Sequence, residues 1–366
     1  MLDFLKIEVV RKPKSYTIIR PSFRVCKSKD LMTRGSDFYA IWDDNEGLWS
    51  TEEQTAVELI DMELDKYVEE NKYSLGEEYI VEHMWNSSSG SIDKWHKFVQ
   101  KQMRDNFHQL DFKMVFRDDD TVKADYATQR LKYNLVHMDT PAYNLLSKTL
   151  FAPDELRKLE WAIGSIIDGD SIKLEKFIVL YGAPGTGKSS YIKHVIEPIF
   201  DGYYQFFDAE SLADRTNSFS MEVFANNPLV AIQHDGDLSR ITTNIRLNSI
   251  ISHDKMIINQ KHKTQFTISP QSFLFMGTNT PVKITDAKSG LNRRLIDVNP
   301  TGKTLMPEVY INTIQKIKFE IGGIAKHCLD VYRNLGRDYY SDYEPVNMRE
   351  ETDTFYNFIL DECYND

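Results

Sequence analysis

Along its first half the chain changes pattern every ten to twenty residues. FYAIWDDNEGLWS (38–50) alternates apolar and polar positions around Asn45–Glu46–Gly47, which predicts two short strands and a tight turn. From Glu52 to Glu70 apolar residues recur at helical spacing, with Thr51 placed to cap the first turn. NSSSGS (86–91) reads as a flexible or capping stretch before a second helical run, Ile92 to Phe107. LDFKMVFRDDDTVKA (110–124) predicts a hairpin that turns at Asp118–Asp120, and Pro141 to Asp168 reads as helices. No internal repeat is visible.

The texture shifts at Lys176. KFIVLYG (176–182) is a continuous apolar run closed by glycine, the pattern of a strand buried on both faces. A helix follows from Ser189 to Glu197, stopped by Pro198. Then come strands YYQFF (203–207) and LVAIQ (229–233), a helix from Thr242 to Ser252, and the strand SFLFMGT (272–278). Residues 307–335 are helical again, and the last twenty residues, ending DECYND, read as the start of a further helical unit cut from something longer. Alternating buried strands and helices predict an α/β core with a parallel sheet flanked by helices. A smaller, mainly helical α+β domain is expected before it. The expected divisions are a basic segment 1–36, an N-terminal domain 37–150, the core 151–305 and a helical region 306–366.

The chain has 366 residues, too many for one core. Hydrophobic residues at 41% and charged residues at 27% are those of an ordinary globular protein. No apolar run approaches the ~18 residues that span a bilayer, and MLDFLKIEVVRKPK lacks a signal-peptide core. No membrane partner is therefore expected. Cys26, Cys328 and Cys363 form no CxxC pair, so neither a zinc site nor a disulfide framework is indicated, and a reducing cytoplasm is expected. The net charge is −11, yet two stretches run the other way. Residues 1–36 hold nine Lys and Arg against three acids, and Leu238 to Lys283 holds six against one. Within the second window stand Lys261, His262 and Lys263 in a row. They read either as the solvated tip of a two-stranded ribbon or as a local contact for nucleic-acid phosphates.

The chemistry concentrates after the buried strand. GAPGTGKS (182–189) fits G-x-x-x-x-G-K-[ST] in full, with a strand before it and a helix after it. Glycines let backbone N–H groups turn inward around phosphates, and the helix N-terminus adds positive potential. Gly182, Ala183, Pro184, Gly185, Thr186, Gly187, Lys188, Ser189 and Ser190 are thus the candidate ATP site, with Lys188 on the β/γ-phosphates and Ser189 on Mg²⁺. LVAIQHDGDLS supplies Asp235 and Asp237 at the end of a strand. One would hold Mg²⁺ and the other polarise the attacking water. Asp235 is favoured for the metal, and the reverse assignment stays open. SFLFMGTNT ends in Asn279, placed to position water or sense the γ-phosphate. Arg293 and Arg294 follow, and in a ring ATPase an arginine there reaches the neighbour's site. Arg294 is the first choice and Arg293 the second.

P-loop, acidic strand, lysine-bearing insert, Asn-tipped strand and Arg-Arg pair, in that order, resemble a superfamily-3 helicase of the AAA+ class. SFLFMGTNTPVK and GLNRRLIDV are similar to the phage and poxvirus primase–helicase branch. DYATQRLKYNL (125–135) and EWAIGSIIDGD (160–170) resemble the helical segment before the ATPase in that branch. Gln233 and His234 depart from the family, which is more apolar or acidic there. The resemblance implies an ATP- and Mg²⁺-dependent DNA helicase of phage-type replication, assembled as a homo-hexameric ring and travelling 3′ to 5′ on single-stranded DNA. It also implies that Lys261, His262 and Lys263 line the pore, that a primase or polymerase is a partner, and that a phage-encoded protein would act in the host cytoplasm. A DNA-stimulated remodeller or loader would use the same motor without unwinding. A small-molecule kinase would not need the Arg-Arg pair or the basic insert, and a nonhydrolysing module would not need Lys188, Ser189 and two acids.

Overall fold

A computed structural model of the protein describes residues 1–345 apart from 12–15, 76–77, 86–89, 105–106, 215, 238–244, 262, 282–289 and 292. The expected C-terminal helical unit and the start of the helix at Thr242 lie outside the described residues. The chain divides into two compact units. The first comprises residues 1–110, 120–128 and 261–266, the second 111–119, 129–260 and 267–366.

The first unit holds β1 (Leu5–Arg11), β2 (Thr17–Phe23), β3 (Leu31–Arg34), β4 (Phe38–Asp43), β5 (Leu48–Ser50), α1 (Glu53–Leu75), β6 (Tyr79–Val81) and α2 (Ser91–Lys101). β1, β2 and β6 form one three-stranded sheet and β3, β4 and β5 another. Residues 1–36, expected as a separate basic segment, form three of the strands of these two sheets. The turn between β4 and β5 falls where the sequence placed it, and α1 runs to Leu75 rather than Glu70. α2 stops at Lys101 instead of Phe107 because Gln102 is extended. Its buried carboxamide is taken by the loop after β2: Gln102 Nε2 donates to Cys26 O at 2.7 Å, and Cys26 N donates to Gln102 Oε1 at 3.1 Å. Trp95 of α2 fills the centre against Phe4, Phe23 and Tyr39.

The second unit begins at Asp111. Residues 110–124 form no hairpin. Val115 and Arg117 pair instead with a later stretch, Leu131 N donating to Val115 O and Arg117 N to Tyr133 O. The acidic turn alone satisfied the local pattern; the backbone partner lies beyond it in sequence. α3 (Pro141–Leu150) and α4 (Pro153–Asp168) follow as expected. Next come β7 (Phe177–Tyr181) and α5 (Lys188–Tyr191), which continues through a π-helical turn, Ile192–Ile196, into α6 (Glu197–Ile199). Pro198 thus does not stop this helix before its last turn. The wider turn precedes a residue that has no N–H to bond back. β8 (Tyr204–Phe206), α7 (Ala209–Ala213), β9 (Val230–Gln233), α8 (Ile245–Ile251), β10 (Met256–Ile258), β11 (Phe266–Ile268), β12 (Phe273–Thr278), β13 (Leu295–Val298) and α9 (Pro307–Leu335) complete it.

Five strands make one sheet in the order β13–β7–β12–β9–β8, parallel at every pairing. β7, β9, β12 and β13 are buried almost throughout, which explains their unbroken apolar runs. β12 enters late in sequence yet lies between β7 and β9. It therefore places the chain after Thr278 between the chain after Tyr181 and the chain after Gln233. α4 and α9 pack against each other, with Trp161 set against Tyr332 and Tyr340 and its Nε1 donating to Gly336 O at 2.9 Å.

α3 is held by a borrowed cap. Pro141 at its first position has no N–H to satisfy, and Thr140 makes no side-chain cap. Buried Glu320 of α9 supplies the acceptors: Oε1 takes Ala142 N at 3.0 Å and Oε2 takes Tyr143 N at 2.9 Å. The negative charge also meets the positive end of the helix. Replacing Glu320 with Ala strands two buried donors, at about 1–3 kcal/mol for an unsatisfied group. Glu320→Ala should therefore lower the urea midpoint without changing the slope of unfolding, and an unchanged midpoint would remove the cap.

Candidate functional site

The turn after β7 and the start of α5 form a backbone cradle. Gly185 and Gly187 take φ of +78° and +91°. At Gly187 a Cβ would lie 2.4 Å from Leu150 Cδ2, so both conformation and space exclude a side chain. α3 thus presses directly on the loop it helps to shape. A cavity of about 470 Å³ opens over the cradle, lined by residues 184–190, His234, Asp235, Asn279 and apolar groups that include Leu146, Leu150 and Leu305.

Lys188 is 5% exposed. Burial pulls its pKa down, and the Asp235 carboxylate opposes that shift. Its ammonium donates to Gly182 O at 2.6 Å, Ala183 O at 3.0 Å and Asn279 Oδ1 at 2.8 Å. Asn279 Nδ2 in turn donates to Asp235 Oδ1 at 3.0 Å and Oδ2 at 3.1 Å. The carboxamide therefore stands between a cation and an anion. Its oxygen faces the ammonium and its N–H₂ faces the carboxylate, the only orientation both charges accept. Three strand ends are joined in one line: β7 through the loop, β12 through Asn279, β9 through Asp235.

Asp235 reaches Asn279 because the chain after β9 folds over the end of β12. Gly236 N donates to Gly277 O at 3.0 Å, and a Cβ on Gly277 would lie 2.2 Å from His234 O. The glycine inside FLFMGT is the signal that the sequence reading passed over, since a strand glycine marks close backbone approach. Asp237 turns elsewhere and accepts from Thr280 Oγ1 at 3.0 Å. Of the two acids, Asp235 faces the cavity. His234 lies 2.8 Å from Glu197 Oε1, and Tyr310 OH donates to Ser190 Oγ at 3.1 Å. Neither partner was visible in the sequence, because each comes from a distant helix.

The arginine pair separates into a buried and an exposed member. Arg294 is 8% exposed, and burial lowers its pKa. Its guanidinium donates to Gly290 O at 3.0 Å, Glu175 Oε2 at 3.2 Å and Ser252 Oγ at 2.6 Å. In the single chain it is a structural tie, its guanidinium engaged by groups of its own subunit. Arg293 has a side chain 69% exposed and lies 3.5 Å from the same Glu175 carboxylate. Lys261 and Lys263 are exposed on the connection between β10 and β11, which pair as a two-stranded ribbon, and His262 lies outside the described residues. Residues 261–266 belong to the first unit, where Thr264 N donates to Asp37 Oδ2 at 2.7 Å and Arg34 lies 3.5 Å over the Phe266 ring. Among the described residues, no three His, Cys, Asp or Glu are grouped to hold a metal ion. An Mg²⁺ that keeps its waters needs only one or two protein oxygens. No helix among them is long and apolar enough to cross a membrane.

Residues 180–294 match a protein family of unknown function (DUF5906). No curated protein matches the chain. Among solved structures, the fold is similar to an apo structure of the NrS-1 C-terminal region, at TM-score 0.52 and 13% identity, over 88% of this chain and 71% of that one. Another apo form of the same region matches at TM-score 0.47 and 16% identity, over 63% of this chain and 56% of that one. This chain therefore spans little more than half the length of the second of these structures, and at such identities the likeness is one of fold.

The bridging carboxamide can be tested by charge. Asn279→Asp keeps an acceptor for Lys188 but sets a second carboxylate against Asp235. Like charges so close raise one carboxyl pKa in the folded state. That group's stabilising protonation is complete below its unfolded pKa and is lost as pH rises through the raised value. The melting-temperature deficit of the variant relative to wild type should therefore grow between pH 4 and pH 7. An equal deficit at both would mean that Asn279 does not stand between the charges.

Proposed function

We propose that this chain is an ATP-dependent DNA helicase of phage-type replication, acting as a ring on single-stranded DNA. The observation that carries the reading is the line Lys188–Asn279–Asp235 across three adjacent strand ends, over a cavity walled by the glycine cradle. The residues fit Mg²⁺–ATP: inward-turned backbone at the start of a helix, a buried ammonium, the Ser189 hydroxyl and a carboxylate on the far side. When bound, Mg²⁺–ATP would supply the phosphoanhydride to be cleaved. Residues 182–190 would hold the phosphates through backbone N–H groups, with Lys188 countering their charge. Ser189 and Asp235 would hold the metal with its waters. Asn279 would position water between Lys188 and Asp235, and Asp237, held by Thr280, would steady the strand end. Outside the cavity, Lys261 and Lys263 would meet phosphates of the strand, contacts that hold DNA without reading its sequence.

ATP hydrolysis with and without single-stranded DNA tests the whole reading. Wild type should hydrolyse ATP with Mg²⁺, and single-stranded DNA should accelerate it. Lys188→Ala should lose hydrolysis while it melts as a folded protein. Lys261→Ala with Lys263→Ala should keep basal hydrolysis and lose the acceleration and strand displacement. Hydrolysis and acceleration without strand displacement in wild type would make it a remodeller or loader. Wild-type turnover by Lys188→Ala would overturn the site.

In the ring the trans arginine is assigned to Arg293, the exposed member of the pair. Arg293→Ala should lose hydrolysis in the assembled ring. Mixing it with Lys188→Ala should restore part of the activity, since each subunit supplies what the other lacks. No restoration at any ratio, with mixed rings verified by native mass spectrometry, would place Arg293 outside the neighbour's site.

A further inference from the structure

The first unit contains a second cavity, of about 390 Å³, that the ATPase reading does not use. Its floor is apolar, with Met32 and Trp49 buried. One wall is a column of near-parallel rings. His108 stacks on Tyr126 with centroids 4.3 Å apart and planes at 19°, and Tyr126 lies 6.4 Å from Trp49 at 21°. His108, at the outer end, is exposed. Tyr126 holds φ at +50°, a left-handed conformation that a bulky residue keeps only where its surroundings fix it. The column is thus built, and its open end faces solvent.

The rim is basic. Lys27 and Lys29 are exposed beside the cavity, and Lys123 lines it with its ammonium held by Asp30. The acids of the same N-terminal segment are engaged by other groups. Asp3 accepts from Ser28 Oγ and from Lys29 N at 2.6 Å, Asp30 accepts from Asp3 N at 2.8 Å and from Lys123 Nζ at 2.5 Å, and Glu8 pairs with Arg20. Asp3 and Asp30 therefore shape the loop 27–30 and present its lysines. A flat π-surface beside cations matches a base with its phosphate.

We propose that this cavity binds one nucleotide of a single-stranded nucleic acid, its base extending the ring column and its phosphate meeting Lys27 and Lys29. The choice of a strand as ligand rests on the DNA reading above; the site itself stands on the first unit alone.

The test uses the full chain and a fluorescent oligo(dT), with anisotropy read across a salt series. His108→Ala alters an exposed ring and should weaken binding roughly 5- to 150-fold, the range for one stacked base. Lys27→Gln with Lys29→Gln should lower the log–log salt slope by about 1.4, at about 0.7 per single-strand phosphate contact. Native melting of both variants, with affinity and slope unchanged, would overturn the proposal. The same substitutions in a Lys261→Ala, Lys263→Ala background separate the two readings. If only the ribbon lysines matter, the cavity proposal falls and the helicase reading stands. If only the cavity variants matter, the ribbon contact falls. Thymidine monophosphate is the last arm, measured on Lys188→Ala protein. If it binds there as tightly as oligo(dT), and oligo(dT) binding shows no salt dependence, the ligand is a free nucleotide and the strand proposal is overturned.

Discussion

A buried ammonium must find acceptors for all its protons, and much of the second unit can be understood as the arrangement that provides them for Lys188. Two acceptors are carbonyls of the loop itself. The third is Asn279, which reaches Lys188 only because β12 is inserted between β7 and β9. The strand order is therefore a condition of the local chemistry. It brings a neutral, two-faced side chain between the cation of one strand end and the anion of another. The glycines at 187 and 277 serve the same end, one letting α3 close on the loop and the other letting the chain at His234 cross the tip of β12.

What could be read beforehand divides by distance along the chain. The glycine cradle after β7 was legible because strand, glycine turn and helix are contiguous, and each residue type is required by local geometry. The buried strands were legible from unbroken apolar runs. Asp235 and Asn279 were recognisable as strand-end polar residues, but their hydrogen bond was not, because nothing local announces that β12 lies between its predecessors. The split within the arginine pair was hidden for the same reason. Arg293 and Arg294 are equivalent in sequence, and only Glu175 and Ser252, far away in the chain, decide which is buried. The expected hairpin at 110–124 failed because an acidic turn resembles a hairpin loop whether or not the flanking segments pair with each other. In the first unit, aromatic residues scattered over a hundred positions converge on Trp95, and no periodicity predicts that convergence.

The likeness to the NrS-1 C-terminal region extends over most of this chain at an identity of 13%. At that distance a shared fold fixes where strand ends and helix starts meet, and leaves the side chains there to be argued one by one. The α/β core supplies a crevice at the carboxyl ends of parallel strands. The residues filling it, rather than the sheet, determine its chemistry. The first unit makes the same point in a different architecture: two small sheets frame a basic rim whose neighbouring acids are engaged on backbone amides and a lysine.

Lys188 is also saturated. Each proton of its ammonium has an acceptor, so an anion that recruits it must displace one of the three. Two are carbonyls fixed in the loop backbone, which the lysine itself would have to leave. The third is a side chain that can rotate. Exchange at that position would free the Asn279 oxygen and loosen its grip on Asp235 within the same movement. Occupancy on one side of the crevice would in this way be registered on the other, through a single amide shared between Lys188 and Asp235.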